Sequence, residues 1–149
     1  ILTVLSGMSS MDPLIENVET FSHFKSLTEE EISFLQEMAD LMEDYPTVPC
    51  TACTYCMPCP YGIDIPTIFR HYNDAVNAGD IAQSHEQKDF QRLKRRYLVS
   101  YDRAVATVRQ ADHCIGCGQC KSHCPQSIDI PRMLHRIDAY IEKLRRETL

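Results

Sequence analysis

The eight cysteines of this 149-residue chain lie in two short groups and nowhere else. The patterns are Cys-x2-Cys-x2-Cys-x2-Cys-Pro and Cys-x2-Cys-x2-Cys-x3-Cys-Pro, formed by Cys50, Cys53, Cys56 and Cys59, and by Cys114, Cys117, Cys120 and Cys124. Thiolates bind zinc and iron–sulfur clusters. Cysteines so close together in sequence are poor disulfide partners for one another, so the pattern predicts metal binding by reduced thiols.

The two groups belong to an internal repeat. The element Cys-Pro-x-x-Ile-Asp-Ile-Pro occurs at residues 59–66 and again at residues 124–131. The first three cysteines are offset by 64 residues, as in Cys50 and Cys114, whereas Cys59 and Cys124 are offset by 65. The first repeat is therefore one residue short before its fourth cysteine. Two similar halves predict an approximate twofold arrangement.

The spacing of the second group resembles that of bacterial ferredoxins, in which three thiolates hold one cluster and the fourth reaches a second cluster. The resemblance implies two 4Fe–4S clusters and an electron-transfer function. It assigns one cluster to Cys50, Cys53, Cys56 and Cys124, and the other to Cys114, Cys117, Cys120 and Cys59. Structural zinc is the alternative, but zinc sites use pairs of cysteines rather than runs of three that end in Cys-Pro.

Apolar residues at helical spacing surround both cysteine groups. A Thr28-x-x-Glu31 capping box opens a helix that should reach about Asp44, with an apolar stripe that includes Leu35. Further helices are expected from Pro66 to Gly79, from about Ser84 to Ala111 with Tyr97, Tyr101, Val105 and Val108 inward, and from Pro131 onward. Strand signal beyond Leu5 is almost absent. The expected fold class is mainly α, and the long helical insertion between the groups resembles the α-helical ferredoxin domain of the succinate dehydrogenase iron–sulfur subunit.

Residues between and beside the cysteines should tune such clusters. Gly116 and Gly118 are expected to let backbone amides approach the sulfurs, since no Cβ intervenes. Ile63, Ile115 and Ile128 are expected to exclude water from the clusters. Burial and N–H···S bonds of this kind set the reduction potential.

Residues 1–27 lie outside the repeat. The apolar Ile1–Leu5 predicts a short buried strand, residues 6–10 a turn, and Asp12-Pro13 the start of a helix. The segment VLSGMSSMDPLIENV resembles the eighth strand and following helix of aldo/keto reductases. Together with CTACTYCMPCPYGIDIP, it resembles the C-terminal region of bacterial aldo/keto reductase-like oxidoreductases that carry an appended ferredoxin domain.

This second resemblance implies a domain organisation and a cofactor. Residues 1–27 would be the closing strand–helix unit of a truncated TIM-type barrel, and residues 28–149 the ferredoxin domain with two 4Fe–4S clusters. An upstream barrel in the native chain would be its partner, and NAD(P) would bind only with that barrel present. The implied cofactor-binding residues are Ser6, Gly7, Ser9, Ser10, Glu16 and Asn17. The family's catalytic residues have no counterpart here, so no catalytic residue is assigned and this chain alone should only relay electrons.

Composition limits the other functions that this chain could have. A formal net charge of −6 argues against a nucleic-acid partner. No apolar run approaches the roughly 20 residues of a membrane helix, and the start lacks a basic leader. Reduced cysteines suit the cytoplasm. The alternative function is a standalone electron carrier or subunit that docks onto a flavoprotein or ferredoxin, and a zinc-stabilised interaction module is a third.

Overall fold

A computed structural model describes residues 3–149 and divides the chain into two compact units, Ile1–Tyr45 and Pro46–Leu149. The described residues form five α-helices and three short 3-10 helices, and no strand. The prediction of a mainly α fold is confirmed. Among the residues described, no helix has the length and apolar character needed to cross a membrane.

The first unit holds α1, Met11–Ser22, and α2, Glu29–Asp44. The capping box of α2 forms as predicted: the Thr28 hydroxyl accepts a bond from the Glu31 amide at 3.2 Å, and the Glu31 carboxylate accepts one from the Thr28 amide at 2.8 Å. These bonds satisfy backbone groups that a helix start would leave unpaired. Neither helix buries a residue, and Leu35 in the apolar stripe of α2 is 52% exposed.

The strand expected at Ile1–Leu5 does not form in the described part of that segment. Thr3, Val4 and Leu5 have irregular backbone, and Val4 and Leu5 expose 62% and 90% of their surface. Ile1 and Leu2 lie outside the described residues. A strand needs neighbouring strands for stability, and residues 3–149 supply none. The assignment of residues 1–27 to a barrel therefore stays a prediction.

The second unit is built from α3, Ile65–Asn77, α4, Phe90–Ala104, and α5, Ile130–Arg146, which all contact one another. Their apolar faces form one core, and the two tyrosines of α4 that were predicted to face inward are part of it. The largest fully buried side chains are Tyr97, Tyr101, Phe69, Ile63, Ile65, Ile68, Ile130, Leu134, Ile137, Ile141, Leu144 and Val105.

Helix α4 is shorter than the helix predicted over Ser84–Ala111. Before it, the Gln87 side-chain carbonyl accepts bonds from the amides of Gln83 at 2.8 Å and Ser84 at 3.2 Å, which fold this stretch into a turn. The prediction rested on apolar spacing alone. It was wrong at this end because a polar side chain satisfies backbone groups that a helix would otherwise pair.

The C-terminal end of α4 is also set by side chains. Val105 has extended backbone, and the chain continues through two 3-10 helices, Thr107–Arg109 and Ala111–His113. The side-chain amide nitrogen of the buried Gln110 donates a hydrogen bond to the Val105 carbonyl at 3.2 Å, and this bond holds the bend. Val105 and Ala111 are still buried, but Val108, predicted to face inward, is 73% exposed.

Arg136 of α5 holds the first residue of the second unit in place. Its guanidinium donates to the Pro46 carbonyl at 3.3 Å and to the Tyr72 hydroxyl at 2.8 Å. The guanidinium carbon also lies 5.5 Å from the centre of the Tyr72 ring, a cation–π distance. The chain is thus tied to α3 and α5 just before the first cysteine group.

Candidate metal centre

Each cysteine group is a loop that leads directly into a helix. We call residues 50–59 the first loop and residues 114–124 the second loop. After each loop the same turn follows, with Gly62 donating to the Cys59 carbonyl at 2.9 Å and Ser127 to the Cys124 carbonyl at 3.1 Å. Both turn residues have left-handed backbone, with φ of +76° and +53°. The repeat seen in sequence is therefore also a repeat of backbone conformation.

An aspartate then caps each helix. Asp64 accepts a bond from the Thr67 amide at 3.4 Å, and Asp129 accepts one from the Arg132 amide, also at 3.4 Å. A proline follows in the first turn of both α3 and α5, where its missing amide costs nothing. The shared Ile-Asp-Ile-Pro letters thus fix where both helices begin.

The two loops also share their internal geometry. Ala52 and Gly116 occupy equivalent positions and have φ of +55° and +74°, and the next equivalent pair, Thr54 and Gly118, has φ of +66° and +76°. Glycine adopts this conformation without a Cβ clash, and the predicted approach of the Gly116 and Gly118 amides to the sulfurs stays a prediction. In the first loop, the Ala52 amide donates to the Cys50 sulfur at 3.4 Å, an N–H···S contact that was predicted from the sequence only for the glycines of the second loop.

Four cysteines line one cavity, which we call cavity one. Cys50, Cys53 and Cys56 come from the first loop, and Cys124 comes from the second. Burial raises the pKa of Cys56, and the other three thiols raise it further. The remaining lining comes largely from the starts of α3 and α5, with Ile65, Pro66, Phe69, Ile128 and Ile130.

A second cavity, cavity two, also joins the loops. Cys59 from the first loop lines it with Cys117 and Cys120 from the second, and Cys56 borders this cavity as well. Burial raises the pKa of Cys120 to about 11, with further contributions from the thiols of Cys114, Cys117 and Cys56. The structure thus brings together the cysteines that the sequence assigned to each cluster, although Cys114 does not line the cavity itself. Their role as ligands stays a prediction.

The donor set fits an iron–sulfur cluster. All eight cysteines are free thiols, and thiolates crowded around one cavity repel each other unless a cation lies between them. Within residues 3–149, no three Cys, His, Asp or Glu side chains are placed to hold one metal ion. A cluster offers each thiolate a different iron, so its ligands need not meet at one point.

Two of the three isoleucines predicted to exclude water from the clusters are buried, and the third is exposed. Ile63 and Ile128 are buried, as expected for residues that exclude water. Ile115 was predicted to do the same, but it is 63% exposed. It lies on the outer side of the second loop, two residues before Cys117, which is itself exposed. Cys53 occupies the equivalent place in the first loop and is exposed too.

Asn73 of α3 is a supporting residue that the sequence reasoning missed. Its amide oxygen accepts a bond from the Val48 amide at 2.8 Å, and its amide nitrogen donates to the Val48 carbonyl at 2.7 Å. This pair fixes the backbone two residues before Cys50. A signal was present, because Asn73 follows Phe69 by four residues and so shares the inward face of α3.

The residues implied as a nicotinamide cofactor site lie at the start of the first unit. The Asn17 side chain donates to the Ser6 hydroxyl at 3.2 Å and contacts the Met8 sulfur at 3.0 Å, which joins the loop to α1. Asn17 is half-buried, whereas the other five residues of the implied set, Ser6, Gly7, Ser9, Ser10 and Glu16, are exposed. Their cofactor role stays a prediction.

Comparison with known protein families gives a match over the same region. Residues 49–128, more than half of the chain and with all eight cysteines, match the model of the 4Fe-4S dicluster domain. No match was found among curated proteins or among solved structures. The chain therefore belongs to the 4Fe-4S dicluster domain family and has the iron–sulfur electron-transfer role of a ferredoxin-type domain.

Proposed function

We propose that this chain binds two 4Fe–4S clusters by crossed ligation and serves as an electron relay. The observation that supports it is cavity one, where the proline-adjacent cysteine of the second loop joins three thiols of the first. The proposed ligands are Cys50, Cys53, Cys56 and Cys124 for cluster one, and Cys114, Cys117, Cys120 and Cys59 for cluster two.

The chain itself supplies position and environment for these groups. When bound, the clusters supply one-electron transfer. Cys56 borders both cavities, so the two sites are neighbours and an electron has a short distance to cross. Ile65 and Phe69, both almost fully buried, exclude water from cavity one. The starts of α3 and α5 also line this cavity, and their positive helix ends favour an anionic group.

Paired cysteine substitutions test the crossed arrangement. If Cys53 and Cys124 serve one cluster, Cys53→Ala with Cys124→Ala damages only that cluster, and one intact four-iron centre remains by electron paramagnetic resonance. The matched control is Cys53→Ala with Cys59→Ala, which has one substitution in each proposed set and should leave no intact centre. The reverse outcome would show that each loop keeps its own four thiols.

Metal analysis of anaerobically purified protein tests the cluster count. About eight irons and eight sulfides per chain are expected for two 4Fe–4S clusters. Zinc without sulfide would instead support the structural zinc alternative, and about four irons would limit the chain to one cluster.

We further propose that this relay serves an aldo/keto reductase-like, NAD(P)-linked oxidoreductase of the cytoplasm, with a barrel upstream of residues 1–27. The support is the resemblance of that segment together with its lack of burial. Helix α1 has a one-sided apolar face of Leu14, Ile15, Val18 and Phe21, and none of these residues is buried. A face of this kind needs a covering surface.

The coding sequence upstream of Ile1 and the complete protein test this part. The expected result is an eight-stranded barrel domain that binds NADPH, with Asn17→Ala weakening binding because the loop at Ser6 loses its tie to α1. A complete protein that starts near Ile1 and transfers electrons to a flavoprotein would favour the standalone carrier instead.

A further inference from the structure

Equivalent positions in the two loops differ in how easily their residues adopt the observed backbone. Both loops need two left-handed residues, and the second loop has glycine at each, Gly116 and Gly118. The first loop has Ala52 and Thr54. Left-handed backbone brings Cβ close to the following carbonyl in every residue except glycine. Thr54 is β-branched, and for such residues this conformation is a clear outlier.

The second loop has additional support after its third cysteine. Lys121–His123 forms a 3-10 helix there, and the Lys121 ammonium lies 2.9 Å from the Asp129 carboxylate that caps α5. The first loop is one residue shorter at this point. Both loops share the preceding turn, with amide–carbonyl distances of 2.9 Å and 3.0 Å, so their backbone paths match through the left-handed positions and diverge only after the third cysteine.

We propose that the first loop releases its cluster before the second loop does when iron is withdrawn, because its left-handed Ala52 and Thr54 store strain that is relieved on opening. The proposal rests on the two-cluster function above. Strained residues persist only where the surroundings hold them in place, and they concentrate at sites that switch. The ligand bonds to Cys50, Cys53 and Cys56 hold this loop, so loss of iron frees it.

Release by a chelator needs no electron donor or acceptor. EDTA binds ferrous and ferric iron, so the irons pass to the chelator in the valence that they already have. Sulfide leaves as hydrogen sulfide after it takes protons from water, and the freed thiolates are protonated in the same way. The first loop then relaxes to ordinary backbone angles.

The test is iron release into EDTA from the loaded full-length chain, followed by loss of the visible absorbance. The wild type should lose its iron in two equal phases. Ala52→Gly with Thr54→Gly should slow the fast phase by about tenfold, since strain at two positions is removed while glycine adds some freedom to the open loop. The slow phase should not change.

The matched variant strains the other loop. A Cβ at Gly118 meets no atom within 4 Å, and one at Gly116 lies 3.7 Å from His135 Nε2, which is ordinary contact. Gly116→Ala with Gly118→Ala therefore changes conformational cost without a clash, and it should accelerate the slow phase. If this variant fails to load, the glycine variant of the first loop still decides.

Three outcomes would overturn the proposal: release in a single phase, a fast phase unchanged by the glycine variant, or a slow phase that responds to it. The iron content before chelation separates these outcomes from failure of the proposed function. If the protein starts with about eight irons but releases them in another order, only the strain argument is refuted. If it starts with fewer irons, the proposed binding of two clusters is refuted instead.

Discussion

Two tyrosines one turn apart on α4 allow a matched test of how buried hydroxyls affect stability. Tyr97 and Tyr101 are each 1% exposed. The Tyr101 hydroxyl accepts a bond from the Ala111 amide at 3.1 Å. The Tyr97 hydroxyl is buried and has no hydrogen-bond partner among the described residues. The same substitution, tyrosine to phenylalanine, should therefore have different effects at the two positions.

Tyr101→Phe removes the partner of a buried amide. Ala111 is itself 1% exposed, so its amide cannot turn to water and stays unsatisfied. Such a loss costs about 1–3 kcal/mol. In a domain of roughly 100 residues, each kcal/mol lowers the melting temperature by about 4 °C or more. A fall of about 4 °C or more is expected for Tyr101→Phe.

Tyr97→Phe removes a hydroxyl that was desolvated without gaining a bond. The ring contacts remain, with the His71 and Tyr140 rings 4.9 Å and 5.0 Å away. The melting temperature should stay the same or rise. Anaerobic thermal scans at one fixed rate, on samples with equal iron content, measure both variants, because cluster loss makes unfolding irreversible. Equal losses in the two variants would refute this account of the hydroxyls.

Two further predictions concern side chains of α3. Asn73→Ala removes both bonds to the buried Val48, which should cost about 1–3 kcal/mol and accelerate iron release from the first loop, whereas Asn77→Ala on the exposed end of the helix should do neither. Burial lowers the pKa of His71 below its ordinary 6.5, with Asp74 opposing. Below about pH 6.5 the unfolded chain therefore takes up a proton that the folded chain resists. The free energy of unfolding consequently decreases as the pH is lowered. Melting temperatures at pH 7.5 and 5.5 should differ less in His71→Gln than in wild type, and an unchanged difference would contradict this.

The local sequence was sufficient to predict the helices that follow the cysteine loops. Asp64-Ile-Pro and Asp129-Ile-Pro carry the cap and the first-turn proline in adjacent positions, so three residues fix each helix start. The capping box of α2 was predictable for the same reason. The end of α4 was not, since it depends on bonds from Gln110 and Tyr101 to residues whose position is known only after the chain has folded.

At the candidate site, too, some features could be predicted from the sequence and others could not. The cysteine spacing predicted the ligand set of each cluster because three closely spaced ligands and a fourth before proline form a recurrent arrangement. The four thiols assigned to cluster one do line cavity one, and the ligand roles stay a prediction. Left-handed backbone at Ala52 and Thr54 could not be predicted from those residues, which disfavour it. Only alignment with Gly116 and Gly118 in the other repeat would have indicated it. The exposure of Ile115 could not be predicted either, because an apolar residue in a loop can lie on the buried or on the exposed side of that loop.

The bonds from Arg136 to Pro46 and Tyr72 have a mechanical consequence. Tension that reaches Pro46 along the polypeptide is carried into α3 and α5 by these bonds, and Asn73 provides a second anchor at Val48. Residues 50–59 follow both anchor points, Pro46 and Val48, in the sequence. A pulling force on the residues before Pro46 is therefore borne by α3 and α5, and residues 50–59 keep their shape.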